Sequence, residues 1–296
     1  MSRYIISSDW HLRSTVPSCV DAAPSEWVET QRKALYKLID IAKEHSIPVI
    51  LMGGDLFHTE QTASFEIIHL AQDFVKDCHR EGIEVRFLQG NHDEINHNGE
   101  NSYRSAMGVF LNSQYVISMN ELWNDKEVKG CNFDEDNYEG YPVIVKHCLC
   151  IPKEDIPKEL MGCETPESLL ERYPFARFIC LGDYHRNFHF EKDGRHVINP
   201  GCLTKQAADF ENYETGCYCF DTETNEVAWC PINIEQKFNH NGYEKKSLDE
   251  TIQNFVESIK AEDITLDYIN SLKNESLNHE ENIQRRINKW ITEAGQ

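Results

Sequence analysis

The chain has 296 residues, enough to bury a substantial core as one large domain with an appendage or as two modest domains. No stretch is apolar enough to cross a bilayer or to act as a secretion signal, so we expect a cytoplasmic protein without membrane contact. Its 29 Lys and Arg stand against 50 Asp and Glu, and the net charge of −21 argues against a protein that grips a phosphate backbone by itself through a broad basic face.

Short apolar runs alternate with amphipathic helical patterns in the first third of the chain. The run at 4–7 precedes a predicted helix over 27–45, and a run from Pro48 precedes a second helix that Ser64 is placed to cap. A third run, EVRFLQG, begins at Glu84. This β-α-β-α-β order predicts parallel strands covered by helices, and ligands of such sheets bind beyond the carboxyl ends of the strands.

The pattern loosens between 113 and 140, where NFDEDNYEG is typical of an acidic loop. Later strand-like runs are VIVKHCLC, RFICLG, RHVINPG and a hairpin over 216–232. A second sheet built from these runs is expected to pack on the first as a layered α/β sandwich that ends near residue 235. Residues 236–296 carry helical patterns, including a capping box at 247–250, and form an extension that either caps the core or docks on a partner.

The eleven cysteines are an odd number and lack the paired spacing of a zinc knuckle. Reduced thiols are therefore expected rather than a disulfide framework. Cys148 and Cys150 share one strand face, as do Cys217 and Cys219, which favours buried small side chains over a metal site.

Five apolar runs end in the same kinds of polar side chain. One such motif is weak, because Gly-Asp is ordinary turn chemistry and a single strand histidine is usually a core residue. Five in series, all at predicted strand ends, favour a ligand site. Carboxylate, amide and imidazole groups at one sheet edge suit two divalent cations with a carboxylate between them. The residues are Asp9 and His11, Asp55, Asn91 with His92 and Asp93, His147, and Asp183 with His185.

The motifs SDWH, GGDLFH, GNHD and GDYH, with His147, resemble in order the metal motifs of calcineurin-like metallophosphoesterases. SDWHL, GGDLFHTEQTASFE and GNHDE are most similar to the SbcD-type nuclease subunit of double-strand-break repair, of phage or bacterial type, and NPGCLTKQ is similar to a segment before that family's closing strands. The resemblance covers about four-fifths of the chain. It implies a four-layer α/β/β/α metallophosphoesterase sandwich over residues 1–235, with the helical extension at 236–296.

The resemblance also implies which residues hold two divalent cations; Mn²⁺ is the expected ion at both positions and Mg²⁺ is the alternative. The family usually has histidine at the position of Asp183, and a carboxylate there adds negative charge and favours these hard cations. Asp9, His11 and His185 would hold the first cation, Asn91, His147 and Asp183 the second, and Asp55 would bridge the two.

For catalysis, the resemblance implies that His92 acts near the scissile phosphate. Asp93 follows directly and either orients that imidazole or lies at the surface. His58 is a candidate for substrate contact because it follows Asp55 closely. Arg186 either touches phosphate or pairs with the acidic surface.

The leading hypothesis is a Mn²⁺-dependent DNA exonuclease or endonuclease of repair or recombination. An SMC-like ATPase would supply the basic grip on DNA and the ATP site, since the chain has no P-loop motif, and relatives of this type pair as homodimers. A phosphatase or phosphodiesterase for small molecules would keep the fold and agree with the net charge of −21. A degenerate acidic binding protein is the third alternative; Asp183 favours it, and the intact Asp55, Asn91, His92 and His147 argue against it.

Overall fold

The computed structural model describes residues 3–59, 63–94, 104–119, 127–131, 140–156 and 163–239. With the exception of Asn239, these residues belong to a compact unit that extends to Phe238. The acidic loop predicted at 132–140 lies outside the described residues except for Gly140, and so does nearly all of the extension predicted at 236–296. The domain boundary and the role of the extension therefore stay predictions.

The described residues contain eleven strands in two sheets. Their order is β11-β10-β1-β2-β3-β4 in the first sheet and β5-β6-β7-β9-β8 in the second. The strands are β1 (Arg3–Ser7), β2 (Val49–Met52), β3 (Glu84–Phe87), β4 (Ile117–Ser118), β5 (Val128–Cys131), β6 (Val143–His147), β7 (Phe178–Gly182), β8 (Phe188–Lys192), β9 (Arg195–Asn199), β10 (Gly216–Asp221) and β11 (Glu226–Pro231).

The predicted strand order β1-β2-β3 is parallel, as the alternation with helices requires. The placement of the last hairpin in the second sheet is wrong, because β10 pairs antiparallel with β1 in the first sheet. This pairing gives β10 two buried faces. Cys217 and Cys219 lie in the core beneath the helices, and Tyr218 and Phe220 lie in the core between the sheets. All eleven cysteine thiols are free.

Four helices cover the sheets: α1 (Pro24–Glu44), α2 (Phe65–Arg80), α3 (Ala106–Leu111) and α4 (Pro166–Arg172). The Ser64 hydroxyl accepts a hydrogen bond from the Ile67 amide, so the predicted cap of α2 is present. Helix α1 begins three residues before the predicted start, because Pro24 fits the first turn and the Glu26 carboxylate accepts from the Ala23 amide. No helix of the described residues is long and apolar enough to span a membrane.

The layers are α1 and α2, the first sheet, the second sheet, and α4. Side chains of α1 and α2 form one core with the outer face of the first sheet. Ile6 and Leu51 meet Val145 and Phe178 in a second core between the sheets. The second sheet packs its other face against α4. The expected four-layer α/β/β/α sandwich is confirmed, and the loops that follow β1, β2, β3, β6 and β7 converge at one edge.

Candidate metal centre

Backbone hydrogen bonds fasten the loop after β1 to the loop after β2. The Asp9 amide donates to the Gly54 carbonyl and the His11 amide to the Asp55 carbonyl, each at 3.0 Å. The second sheet is tied in by Asp183, whose amide lies 3.1 and 3.2 Å from the two carboxylate oxygens of Asp9. Residues far apart in sequence are thus held within one small volume.

Four of the predicted metal-binding residues have left-handed backbone conformations. The φ angles are 51° at Asp9, 43° at His11, 60° at Asp55 and 91° at Asp183. Such conformations are uncommon outside glycine and cost on the order of 1–3 kcal/mol each, so the surrounding structure has to enforce them. Backbone strain of this kind concentrates at functional sites.

The predicted first group of ligands lies together. One ligand atom from each of Asp9, His11 and His185 can be chosen so that all lie within 4.8 Å of one another. The Nε2 atoms of His11 and His185 are 3.0 Å apart, and the His185 Nε2 is 3.9 Å from an Asp9 oxygen.

The Asp55 carboxylate stands between two histidines. Its Oδ2 lies 3.5 Å from the Nε2 of His11, and its Oδ1 lies 3.4 Å from the Nε2 of His147. One oxygen is therefore directed toward each predicted cation position, which is the geometry that a bridging carboxylate requires.

The predicted second group centres on His147. Its Nδ1 lies 2.8 Å from the Gly53 carbonyl, and since a carbonyl only accepts, Nδ1 carries the proton. The lone pair of Nε2 then faces the Asn91 Oδ1 at 2.8 Å and an Asp183 oxygen at 4.0 Å. Metal-binding histidines typically donate their other ring N–H to a carbonyl in this way, which fixes the tautomer.

Burial sets the charges of the centre. Desolvation raises the pKa of Asp9 to about 7 and that of Asp55 to about 8, while it lowers the pKa of His11 well below its ordinary value. The pKa of His185 is lowered for the same reason. The imidazoles are neutral and face each other, and burial disfavours the anionic form of the carboxylates. Divalent cations would stabilise such a set of donors, so these residues fit the metals that the resemblance implies.

The His92 side chain is oriented by the main chain. Its Nδ1 lies 2.8 Å from the His58 carbonyl, so Nδ1 carries a proton and donates it to that carbonyl. The His92 amide donates to the Oδ1 of Asp55 at 3.0 Å, and the His92 ring is 4.9 Å from that of His11. The His92 Nε2 makes no hydrogen bond within the described residues and is open to a substrate. His92 also forms a possible ligand group with His11 and Asp55.

The orientation of His92 by Asp93 is not what the structure shows. Asp93 is buried, and its carboxylate accepts from the amides of Gly90, Leu56 and Phe57 at 3.0, 3.2 and 3.3 Å. A carboxylate surrounded by backbone donors fixes two loops relative to each other. Asp93 is therefore a structural residue of the site, and the alternative of a surface position is also wrong.

A cavity of about 180 Å³ opens beside the centre. His58 lines it, as predicted for substrate contact, whereas Arg186 is not among its described lining residues and pairs with Asp209 at 3.1 Å. The sequence motifs do not mark Arg13, although it follows His11 by only two positions and lines the cavity. The cavity is lined by His11, Arg13, His58, His92, His185, Cys202, Gln206, Ala207 and Phe210.

Comparison with known families agrees with this site. The calcineurin-like phosphoesterase family matches residues 2–186, well over half of the chain. The chain belongs to this family. The resemblance to the calcineurin-like metallophosphoesterases that the motifs indicate is confirmed. The family uses divalent metals, which agrees with the donor set.

Individual relatives are distant. A DNA double-strand break repair protein Mre11 of Nanoarchaeum equitans is 23% identical over 220 residues, which are 65% of this chain and 59% of that protein. The chain thus matches less than two thirds of that relative's length. Among solved structures, an archaeal phosphodiesterase is 15% identical, with 78% and 100% of the two chains covered and a TM-score of 0.41. The nuclease MPE of Pseudomonas putida is 13% identical, with 77% and 87% covered and a TM-score of 0.36.

Proposed function

We propose that the protein is a Mn²⁺-dependent DNA nuclease that acts with an SMC-like ATPase partner in repair or recombination. The observation that carries phosphodiester hydrolysis is the Asp55 carboxylate, with one oxygen toward His11 and the other toward His147. DNA as substrate is supported by the motif resemblance and by the similarity to a protein named for double-strand break repair. The cleavage mode, from an end or within a strand, is left to the experiment.

The predicted metal ligands are mostly hard oxygen donors. Asp9, His11 and His185 would hold one cation, Asn91, His147 and Asp183 the other, and Asp55 would contact both. Oxygen donors outnumber imidazoles, and Asp183 supplies a carboxylate where the family usually has histidine, so Mn²⁺ or Mg²⁺ is favoured over softer ions. When bound, such a pair supplies Lewis acidity toward a phosphoryl oxygen and lowers the pKa of water.

The chain contributes proton transfer through His92. Its Nδ1 proton is held by the His58 carbonyl, so the ring keeps one orientation with Nε2 free. In the protonated ring, Nε2 carries a second proton that it can donate to the departing oxygen of the phosphodiester. His92 is anchored to the centre by the bond from its own amide to Asp55, which places acid and predicted bridging carboxylate in one rigid unit.

The net charge of −21 is explained if the ATPase partner provides the basic surface for DNA. Residues 236–296 are the candidate docking segment. A chain that lacks 240–296 is expected to lose co-purification with the ATPase. If the segment only caps the core, the shortened chain will instead unfold at a lower temperature and still bind the partner.

The test uses Mn²⁺ with linear DNA and, separately, with bis(p-nitrophenyl) phosphate over a range of salt. We expect cleavage of both by the wild type and of neither by Asp55→Asn. Arg80→Gln is the matched control, since Arg80 is an exposed residue at the end of α2, paired with Asp77. Loss of DNA cleavage in every condition, with the small diester still hydrolysed, would reject the nuclease.

That last outcome would support a phosphodiesterase or phosphatase for small molecules. Two observations favour this second candidate: the net charge of −21 and the modest cavity of about 180 Å³. A compact substrate needs no extended basic track.

A further inference from the structure

Arg13 follows the loop that carries Asp9 and His11. A residue of α1 forms hydrogen bonds with both the amide and the carbonyl of Arg13. The Arg13 amide donates to the Gln31 Oε1 at 2.9 Å, and the Gln31 Nε2 donates to the Arg13 carbonyl at 2.8 Å. Gln31 is fully buried, and its Nε2 also contacts the Trp27 carbonyl. A buried glutamine with both ends bonded to one residue holds the Arg13 backbone in a single position.

The Arg13 guanidinium is held by His58. Its Nη1 lies 2.7 Å from the His58 Nε2, and because a guanidinium only donates, the imidazole is the acceptor. His58 therefore contacts the guanidinium through an Nε2 lone pair, which leaves the positive charge of Arg13 uncompensated.

The positive charge of Arg13 lacks a partner in the part of the chain that the structure describes. Within that part Arg13 makes no ion pair with a carboxylate, and its Nε is buried without an acceptor. The Nδ1 of His58 is likewise buried and unbonded there. A half-buried cation without a counter-charge is costly. An anionic ligand would relieve that cost.

Arg13 is also the only Lys or Arg among the described residues that line the cavity, which His11, His92 and His185 line as well. The guanidinium bonds to His58, and the His58 ring packs against His11 with 5.7 Å between the ring centres. An anion bound at Arg13 would therefore lie beside a group bound at the metal-binding loops and would be distinct from it.

We propose that Arg13, positioned by Gln31 and His58, binds a second phosphate of the substrate next to the phosphate that is cleaved. The substrate class is then a polynucleotide strand, which carries successive phosphates, and a single phosphodiester is a poorer ligand. This role rests on the proposed function, because it assumes that phosphodiester cleavage takes place at the adjacent loops.

The experiment compares Arg13→Gln and Arg13→Lys with the wild type on a single-stranded oligonucleotide and on bis(p-nitrophenyl) phosphate, both with Mn²⁺. Arg13→Gln is expected to raise KM for the oligonucleotide about tenfold or more, as for loss of a charge-assisted hydrogen bond, with kcat/KM for the small diester within about twofold. Arg13→Lys should have an intermediate KM for the oligonucleotide, since lysine keeps the charge and loses the paired N–H donors of the guanidinium. Arg80→Gln removes the same charge from an exposed site and is the control.

Binding of the labelled oligonucleotide, followed by fluorescence anisotropy in EDTA, gives a readout without catalysis. Loss of one phosphate contact should reduce the slope of log affinity against log salt by about 0.7 in Arg13→Gln. Unchanged oligonucleotide binding in that variant would overturn the role of Arg13, and so would failure of the wild type to bind. An equal loss of activity on both substrates would assign Arg13 a merely structural role and would also overturn it.

The two proposals fail separately. Binding that depends on Arg13 without cleavage of the oligonucleotide would reject the nuclease and retain the phosphate subsite. Cleavage that does not depend on Arg13 would retain the nuclease and reject the subsite.

Discussion

The imidazoles of His11 and His185 face each other with their Nε2 atoms 3.0 Å apart. Burial lowers the pKa of both rings, so both are neutral near pH 7, and without a cation the Nε2–H of one ring donates to the Nε2 of the other. When both rings carry their proton on Nδ1, the two Nε2 lone pairs are available to a common cation. The pair thus brings residues 174 positions apart in the chain to one predicted cation position.

Asp55→Asn should abolish binding of both cations, because Asp55 belongs to the ligand groups of His11 and of His147. The amide keeps the shape and loses one anionic oxygen. We expect the metal content of Mn²⁺-loaded protein, measured by plasma mass spectrometry, to fall from two ions to less than one, and hydrolysis of the small diester to fall at least about 100-fold.

His11→Gln and His147→Gln give the matched comparison, since each removes a ligand from one group only. Each should retain one cation. An Asp55→Asn protein that still holds two ions would show that Asp55 does not bridge.

The metal-free protein should become less stable as the pH rises from about 7 to about 8. Burial raises the pKa of Asp9 to about 7 and of Asp55 to about 8 from the ordinary value of 3.8. Histidines whose pKa burial lowers, among them His11 and His185, have the opposite effect, but only up to about their ordinary value of 6.5. Above that value the folded state binds more protons than the unfolded state, so the free energy of unfolding declines with increasing pH. Thermal unfolding in chelator across this range measures the decline.

Asp55→Asn removes one of the two buried carboxyl groups and should weaken the dependence of stability on pH. Mn²⁺ should weaken it as well, because bound cations offset the buried negative charge. A metal-free Tm that rises with pH over this window would contradict the buried-carboxylate description of the centre.

His92→Gln should lower kcat by about 10² to 10⁴ and leave metal content unchanged, since proton transfer through a positioned side chain contributes about that much. Steady-state kinetics on DNA and on the small diester, with metal analysis of the same samples, separates the two effects. His92 also lies in a possible ligand group with His11 and Asp55. Loss of a cation in His92→Gln would therefore make His92 a ligand.

Asp93→Ala should destabilise the protein strongly, because the Gly90, Leu56 and Phe57 amides would lose their acceptor in a buried place. A buried donor without a partner costs about 1–3 kcal/mol. Urea unfolding should show a loss in that range or above, and Asp93→Asn, with one remaining carbonyl oxygen, a smaller loss. If Asp93→Asn lowered kcat without changing stability, the carboxylate would have a catalytic role instead.

The sequence predicted most of what depends on local patterns. Apolar runs that stop at Asp9, Asp55 and Asp183 marked the strand ends, and the parallel order of the first three strands brought those ends to one edge. Contacts between residues distant in the chain were not predictable. Strand β10 of the hairpin pairs with β1 because both of its faces are then buried in a core. Asp93 accepts from amides 36 and 37 residues away, and Arg13 meets His58 only in the folded protein. Strand β8, at an edge and largely exposed, carries too weak an apolar pattern to be recognised.

Gly90→Ala should disrupt the centre through steric overlap alone. Gly90 has a φ of −97°, which any residue adopts, but a Cβ there would collide with the Oδ1 of Asp55 and approach the His147 ring. Because overpacking forces neighbours to move at a cost of about 1–3 kcal/mol, both the free energy of unfolding and Mn²⁺ affinity should fall. Gly82→Ala is the opposite control: its φ is +75° with open space around it, so it should cost about 1–2 kcal/mol of stability and leave metal binding intact. Titration calorimetry with Mn²⁺ measures the metal affinity of both variants, and equal affinities would show that the centre accommodates the added methyl group.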